Sequence, residues 1–297
     1  KVLQNTDRPR SRMCKHDASF SEEDCVWSCS HWTYDDASPS QVINRFVSSL
    51  TESMEAIKQA GIDRTTIPYG DYESEQIDVF GSLDVAQPIL VWLHGGYWQE
   101  GSRADCSPLV LPLVRRGVTV ASIGYRLASP DRPVGDIVRD VAKAIKMLLD
   151  RFANTPRRLI LGAHSAGAQL AFKASQLLAS TSPVDGLALF SGVFDLSRLP
   201  DTVIGRPIGL TAATAEEACC RVLPGTVPSQ EVLLAVAAED SPALLEQSTR
   251  MCDELEKAGT TAQHIVIDGE DHFSLISHLS DASSQQAQIL AEFCLKA

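Results

Sequence analysis

Short apolar runs of five or six residues recur along this chain, each followed by a turn and then an amphipathic stretch. That alternation constrains the fold more than any other feature. The predicted strands are 76–80 (QIDVF), 88–93 (PILVWL), 118–123 (VTVASI), 158–163 (RLILGA), 187–191 (LALFS), 232–237 (VLLAVA) and 264–268 (HIVID). Helices are predicted over about 105–116, 135–153, 166–180, 242–258 and 281–295. Several strands are apolar throughout and do not alternate, which requires helices on both faces of the sheet. Strand–helix alternation then implies a mostly parallel, doubly wound α/β sheet.

The ends of the chain and one internal stretch break this rhythm. Residues 1–38 are polar with little periodicity and are expected to form an N-terminal arm, leaving 39–297 as one α/β domain. Within that domain, residues 40–60 carry apolar positions at helical spacing and stop at Gly61, a C-terminal cap residue. Residues 195–230 contain no strand and several Pro and Gly. A small cap inserted between two sheet strands is expected there, with a plain long connection as the alternative. The chain opens at Lys1 on a polar, basic stretch without an apolar signal-peptide core, so a processed form or a fragment is expected.

Composition narrows the ligands. With 44% hydrophobic and 22% charged residues the chain is ordinary globular material. A net charge of −12 lacks the basic stripe that a nucleic-acid partner or an anionic membrane surface needs, which leaves small neutral or zwitterionic molecules. No apolar run approaches the roughly 18 residues of a membrane span. The eight cysteines are scattered, and a chain with a large core needs no disulfide staples, so reduced thiols in a cytosolic protein are expected. Cys25 and Cys29 with the nearby His16 and His31 raise the question of zinc, but their spacing fits no common finger, and no metal or cofactor is expected.

Three motifs carry chemistry. Ala163-His164-Ser165-Ala166-Gly167 follows a strand and opens a helix, the setting of a nucleophile held on a tight strand-to-helix turn, with small residues where strand and helix approach. Gly is usual where Ala163 stands. A serine capping a helix is the chemically silent alternative. His94-Gly95-Gly96-Tyr97-Trp98 follows strand 88–93, the position from which the α/β-hydrolase fold supplies one oxyanion-hole amide; the residue after the nucleophile supplies the other. The hole is assigned to Gly96 and Ala166, with Gly95 giving the loop its freedom and Tyr97 as a further candidate. In that fold an acid and then a histidine must follow the serine. Asp240 ends one strand and His272 lies beyond the next, so Ser165, Asp240 and His272 are the expected nucleophile, orienting acid and base.

Other groups compete. Glu239 adjoins Asp240, Asp195 follows the preceding strand, and Asp271 abuts the histidine but is badly placed to bond its own neighbour's ring. Among histidines, His264 falls in a strand, His164 in the elbow and His278 beside the last helix, while His94 is read as a brace for its loop. The aromatic residues Trp98, Phe194 and Phe273, with Tyr97, are candidates to line a substrate pocket, and each is equally readable as core.

The motifs HGGYW at 94–98, GAHSAGA at 162–168, SGVFDL at 191–196 and EDSP at 239–242 together resemble the kynurenine formamidase (arylformamidase) family. Ser38-Pro39-Ser40 and Gly209-Leu210-Thr211 are similar to further family segments, with Ala37 standing where the family has tyrosine. The likeness runs in order over roughly residues 38–297. It implies hydrolysis of N-formyl-L-kynurenine to L-kynurenine and formate in tryptophan breakdown. It also implies a cytosolic, metal-free enzyme, often a homodimer, whose catalytic groups match Ser165, Asp240 and His272. A general carboxylesterase on the same scaffold, and a ligand-binding protein without catalysis, are the alternative readings.

Overall fold

The computed structural model describes residue 14 and residues 20–83, 85–152, 157–181, 184–222 and 231–296. Eight strands form its sheet: β1 (Arg64–Pro68), β2 (Gln76–Phe80), β3 (Ile89–Leu93), β4 (Thr119–Ile123), β5 (Leu159–His164), β6 (Gly186–Phe190), β7 (Glu231–Ala237) and β8 (Thr261–Ile267). Their spatial order is β1-β2-β4-β3-β5-β6-β7-β8. The first two pairings, β1 with β2 and β2 with β4, are antiparallel, and all others are parallel. Strands β4 and β5 flank β3, so the chain leaves β3 first to one side and then to the other. A crevice opens at the carboxyl ends of such strands, where ligands bind in open α/β sheets.

Every predicted strand is present within a few residues. The strand missed from the sequence is β1, RTTIP, an edge strand that is mostly exposed and has no apolar run to betray it. In β3 all five residues are buried. Ile89, Val91 and Leu93 enter the core on one face while Leu90 and Trp92 enter the core on the other, as the two-residue period of a strand demands. That is why the run reads as apolar throughout.

The helices are α1 (Glu22–Trp27), α2 (Pro39–Gln59), α3 (Ser107–Arg115), α4 (Val134–Phe152), α5 (Ala166–Leu178), α6 (Ala212–Ala218), α7 (Pro242–Lys257), α8 (Ser274–Ser277) and α9 (Gln285–Leu295). Helices α4, α5 and α7 contribute to one core, α3 and α9 to the other. The Ser38-Pro39-Ser40 stretch has a structural role: Ser38 and Gln41 form a reciprocal capping box, with Pro39 in the first turn. At the far end of α2 Gly61 takes φ +66°, the left-handed conformation that stops the helix. No described helix is long and apolar enough to cross a membrane.

In the stretch expected to form a cap, residues 195–222 make a 3₁₀ turn at Arg206–Ile208 and the short helix α6; residues 223–230 lie outside the described part. Gln169 on α5 ties this layer down. Its side chain is fully buried, accepts from Trp98 Nε1 at 3.0 Å and donates to the Ala218 carbonyl at 2.9 Å. Removing it orphans two buried partners, so Q169A is expected to lower unfolding stability by about 1–3 kcal/mol, read from the denaturant midpoint.

The arm is ordered where described. Ser21 caps α1, whose first turn is acidic, and Arg198 grips both oxygens of Glu23 at 3.0 and 2.6 Å. Asp24 accepts from the Val203 amide at 2.8 Å. The expectation of reduced thiols needs a correction here: Cys14 and Cys25 are joined by a disulfide, with their Cα atoms 6.7 Å apart. Among its described residues the arm contributes no strand to the sheet, so a cross-link supplies restraint that the sheet does not. The other six cysteines are free and buried. His16 lies outside the described residues.

Candidate active site

Ser165 sits on a sharp turn between β5 and α5 with φ 55° and ψ −122°, backbone angles that cost a side-chain-bearing residue about 1–3 kcal/mol. Surrounding bonds hold it there. Its amide donates to the Phe190 carbonyl at 2.9 Å, and its own carbonyl accepts from Ala168 at 3.0 Å and Val193 at 3.2 Å. Gly167 is obligatory at this turn. A Cβ there would lie 2.3 Å from the His94 carbonyl oxygen and 2.4 Å from that of Leu93. Ala163, where Gly is usual, is buried within β5 and paired with Leu93 and Leu189; the strand leaves room for its methyl.

The loop after β3 runs beside the serine. A Cβ on Gly95 would come within 2.9 Å of the Ser165 Cβ. Gly96, Tyr97 and Trp98 all take positive φ, at 98°, 47° and 63°. His94 braces this loop: its Nδ1 donates to the Gly95 carbonyl at 2.9 Å and its ring stacks on Tyr125 at 4.1 Å. Burial lowers its pKa to about 4, so the ring is neutral near neutral pH.

His272 lies on the loop after β8 and Asp240 on the loop after β7. His272 Nδ1 donates to Asp240 Oδ2 at 2.9 Å, and the other Asp240 oxygen accepts from the Ser241 amide at 2.7 Å. Both residues are 3% exposed, which strengthens the pairing in a medium of low dielectric. Burial disfavours the imidazolium, but the carboxylate beside it prevails and holds the His272 pKa well above the usual imidazole value. The elbow and this loop are joined: His164 Nε2 donates to the His272 carbonyl at 3.0 Å, with the two rings 4.4 Å apart. Burial and the neighbouring His272 push the His164 pKa well below its usual value.

The loop itself is braced by acids that compete for attention in the sequence. Asp271 accepts from the amides of Phe273 at 3.0 Å and Ser274 at 2.8 Å, leaving it turned into its own backbone. Glu270 accepts from Gln286 Nε2 at 2.9 Å and pairs with His278, while Ser274 Oγ donates to it. Asp195 pairs with Arg250 at 2.6 Å and Arg221 at 3.7 Å, away from His272. The sequence-predicted aromatics divide. Trp98 and Phe194 are core residues, 0% and 2% exposed. Phe273 stands edge-on to the His272 ring at 5.3 Å and to Phe46 at 5.4 Å.

Sequence reasoning missed the contribution of the arm. The Tyr97 hydroxyl donates to the Trp27 carbonyl at 2.7 Å and lies 3.5 Å from Cys29 Sγ. The Cys29 thiol also contacts the His272 ring. No periodicity or motif marks residues 20–31, so nothing local foretells that contact.

The sheet, the elbow and the loops at its carboxyl end define an α/β-hydrolase. The family model described as the alpha/beta hydrolase fold matches residues 90–275. A hyperthermophilic esterase from the archaeon Pyrobaculum calidifontis superposes with TM-score 0.67 at 19% identity, covering 85% of this chain and 93% of that one. The chain belongs, more narrowly, to the kynurenine formamidase family. It is 31% identical to the kynurenine formamidase of Danio rerio, over 92% of this chain and 95% of that protein. To the kynurenine formamidase of Salmo salar it is 30% identical, over 92% and 96%.

Proposed function

We propose that this protein is a serine hydrolase that cleaves the formamide of N-formyl-L-kynurenine, giving L-kynurenine and formate in tryptophan degradation. The observation that carries the reading is the buried His272–Asp240 bond of 2.9 Å, tied through His164 to a strained serine elbow, in a chain of the kynurenine formamidase family. Ser165 attacks the formyl carbon while His272 takes its proton and Asp240 holds the ring in the required tautomer. The oxyanion rests on the amides of Gly96 and Ala166, with Gly95 keeping the loop close and Tyr97 as the further donor. Each such donor is worth about 3–4 kcal/mol. His272 then protonates the departing aromatic amine, and water, activated by the same ring, releases formate from the formyl-enzyme.

The pocket reading narrows accordingly. Trp98 and Phe194 support the site from the core, and Phe273, half-buried beside His272, is the aromatic residue proposed to meet the aryl leaving group. The test is turnover of N-formyl-L-kynurenine against short p-nitrophenyl esters by purified protein. Higher kcat/KM on the formamide is the expected outcome. Cleavage of the esters alone would leave a carboxylesterase and discard the formamidase. Absence of both, with no labelling by a fluorophosphonate, would point to a binding protein.

A further inference from the structure

His272 has a neighbour that the proposed reaction does not use. Cys29, on the 3₁₀ turn Cys29–His31 that follows α1, brings its sulfur against the His272 ring. One donor atom each from Cys29, Asp240 and His272 lies within 4.8 Å of the other two. All three residues are buried, at 5%, 3% and 3% exposure. A thiol, an imidazole and a carboxylate are the three side-chain types that bind zinc. With bonds of about 2.0–2.3 Å, tetrahedral ligand atoms sit about 3.3–3.8 Å apart. The 2.9 Å His272–Asp240 separation and the 4.8 Å envelope bracket that spacing.

We propose that Cys29, His272 and Asp240 form a binding site for a thiophilic divalent cation, Zn²⁺ or Cd²⁺, and that its occupancy shuts off hydrolysis. On binding, the Cys29 thiol releases its proton to solvent and its sulfur bonds the metal; the His272 ring gives up its proton at Nδ1 and takes one at Nε2, so that Nδ1 offers its lone pair and Asp240 a carboxylate oxygen. One thiolate, one carboxylate and a neutral imidazole cancel the charge of a divalent ion, which is what a water-poor site requires. The donor set discriminates against Mg²⁺ and Ca²⁺, which prefer oxygen ligands alone. With the metal on Nδ1 the ring carries its proton on Nε2, the nitrogen left to accept from Ser165, so no proton can leave the serine. The inhibition half of this proposal rests on His272 acting as the base; the binding half does not.

A second cluster needs separating from the first. His31 Nδ1 lies 3.5 Å from Cys14 Sγ and 3.4 Å from Cys25 Sγ, but those sulfurs are bonded to each other and present no thiolate. The experiment therefore uses the C14S/C25S protein, so that reduction cannot open that cluster. Cd²⁺ is titrated while thiolate-to-cadmium charge-transfer absorption and turnover of both N-formyl-L-kynurenine and p-nitrophenyl acetate are recorded, with Mg²⁺ as control. The expected result is absorption and inhibition rising together to one equivalent, reversed by EDTA, with no effect of Mg²⁺. In C29A, basal turnover is retained and the Cd²⁺ needed for half-inhibition rises at least about tenfold, the lower end of what losing even an outer partner costs a metal site. S165A keeps the absorption although it turns nothing over, which separates failure of the metal site from failure of the catalytic reading. Equal inhibition of C29A, or inhibition without charge-transfer absorption, would overturn the proposal. Should C29A fold poorly, C29S, which keeps the side-chain size and replaces the soft donor with a hard one, is expected to lose the absorption in the same way.

Discussion

Replacing Ser165 with alanine is expected to lower kcat by about 10⁵- to 10⁶-fold on any substrate the protein turns over, the loss seen when a nucleophile is removed from a unit of three cooperating groups. H272A is expected to cost about as much, and the double variant no more than either alone, since each removal already silences the unit. Stability moves little in S165A, because alanine occupies the same φ of 55° as serine and leaves the backbone bonds to Phe190, Ala168 and Val193 intact. S165G is the informative companion. Glycine accepts positive φ without strain, so it should raise the thermal midpoint while abolishing turnover equally. A protein that is more stable and inactive would show that the elbow holds its strain for chemistry. Turnover surviving in S165A would remove the serine mechanism altogether.

The sequence makes the elbow and the sheet legible for the same physical reason: both are local. A turn at positive φ between a strand and a closely packed helix tolerates only small neighbours, and the 2.3 Å clearance at Gly167 leaves a signature in adjacent residues. Strands buried on both faces, such as Ile89–Leu93, leave a continuous apolar run. Asp240 and His272 are distant from Ser165 along the chain, but β7 and β8 deliver them to one edge of the crevice, and strand order alone brings them together. What the sequence conceals is non-local or directional. Trp98 adjoins the glycines of the loop after β3, yet its ring turns into the core towards Gln169, and no spacing rule reports which way an aromatic in an irregular loop will point. The edge strand β1, RTTIP, buries too little to need apolar residues. Cys29 reaches His272 across most of the chain's length from a segment with no period at all.

Converting Asp240 to asparagine is expected to lower kcat/KM by about 10⁴-fold and to change its pH dependence as well as its height. In the parent protein burial opposes the charged ring, but the Asp240 carboxylate outweighs it, so the His272 pKa stands well above the usual imidazole value. In the proposed mechanism only the neutral ring accepts the serine proton, so the rate is expected to rise with pH as His272 gives up its own. Asparagine carries no charge to hold that proton. The acidic limb of the profile in D240N therefore moves to lower pH, against the residual rate. Stability follows the same linkage with its sign fixed by the raised pKa. The charged pair stabilises the fold fully below the unfolded-state value of about 6.5 and loses that contribution as pH climbs through the raised native value. The gap in thermal midpoint between parent and D240N should accordingly be wide in mildly acidic buffer and narrow in alkaline buffer. A gap that is constant across that range, or an acidic limb that stays in place, would mean that the bond orients the ring without setting its charge.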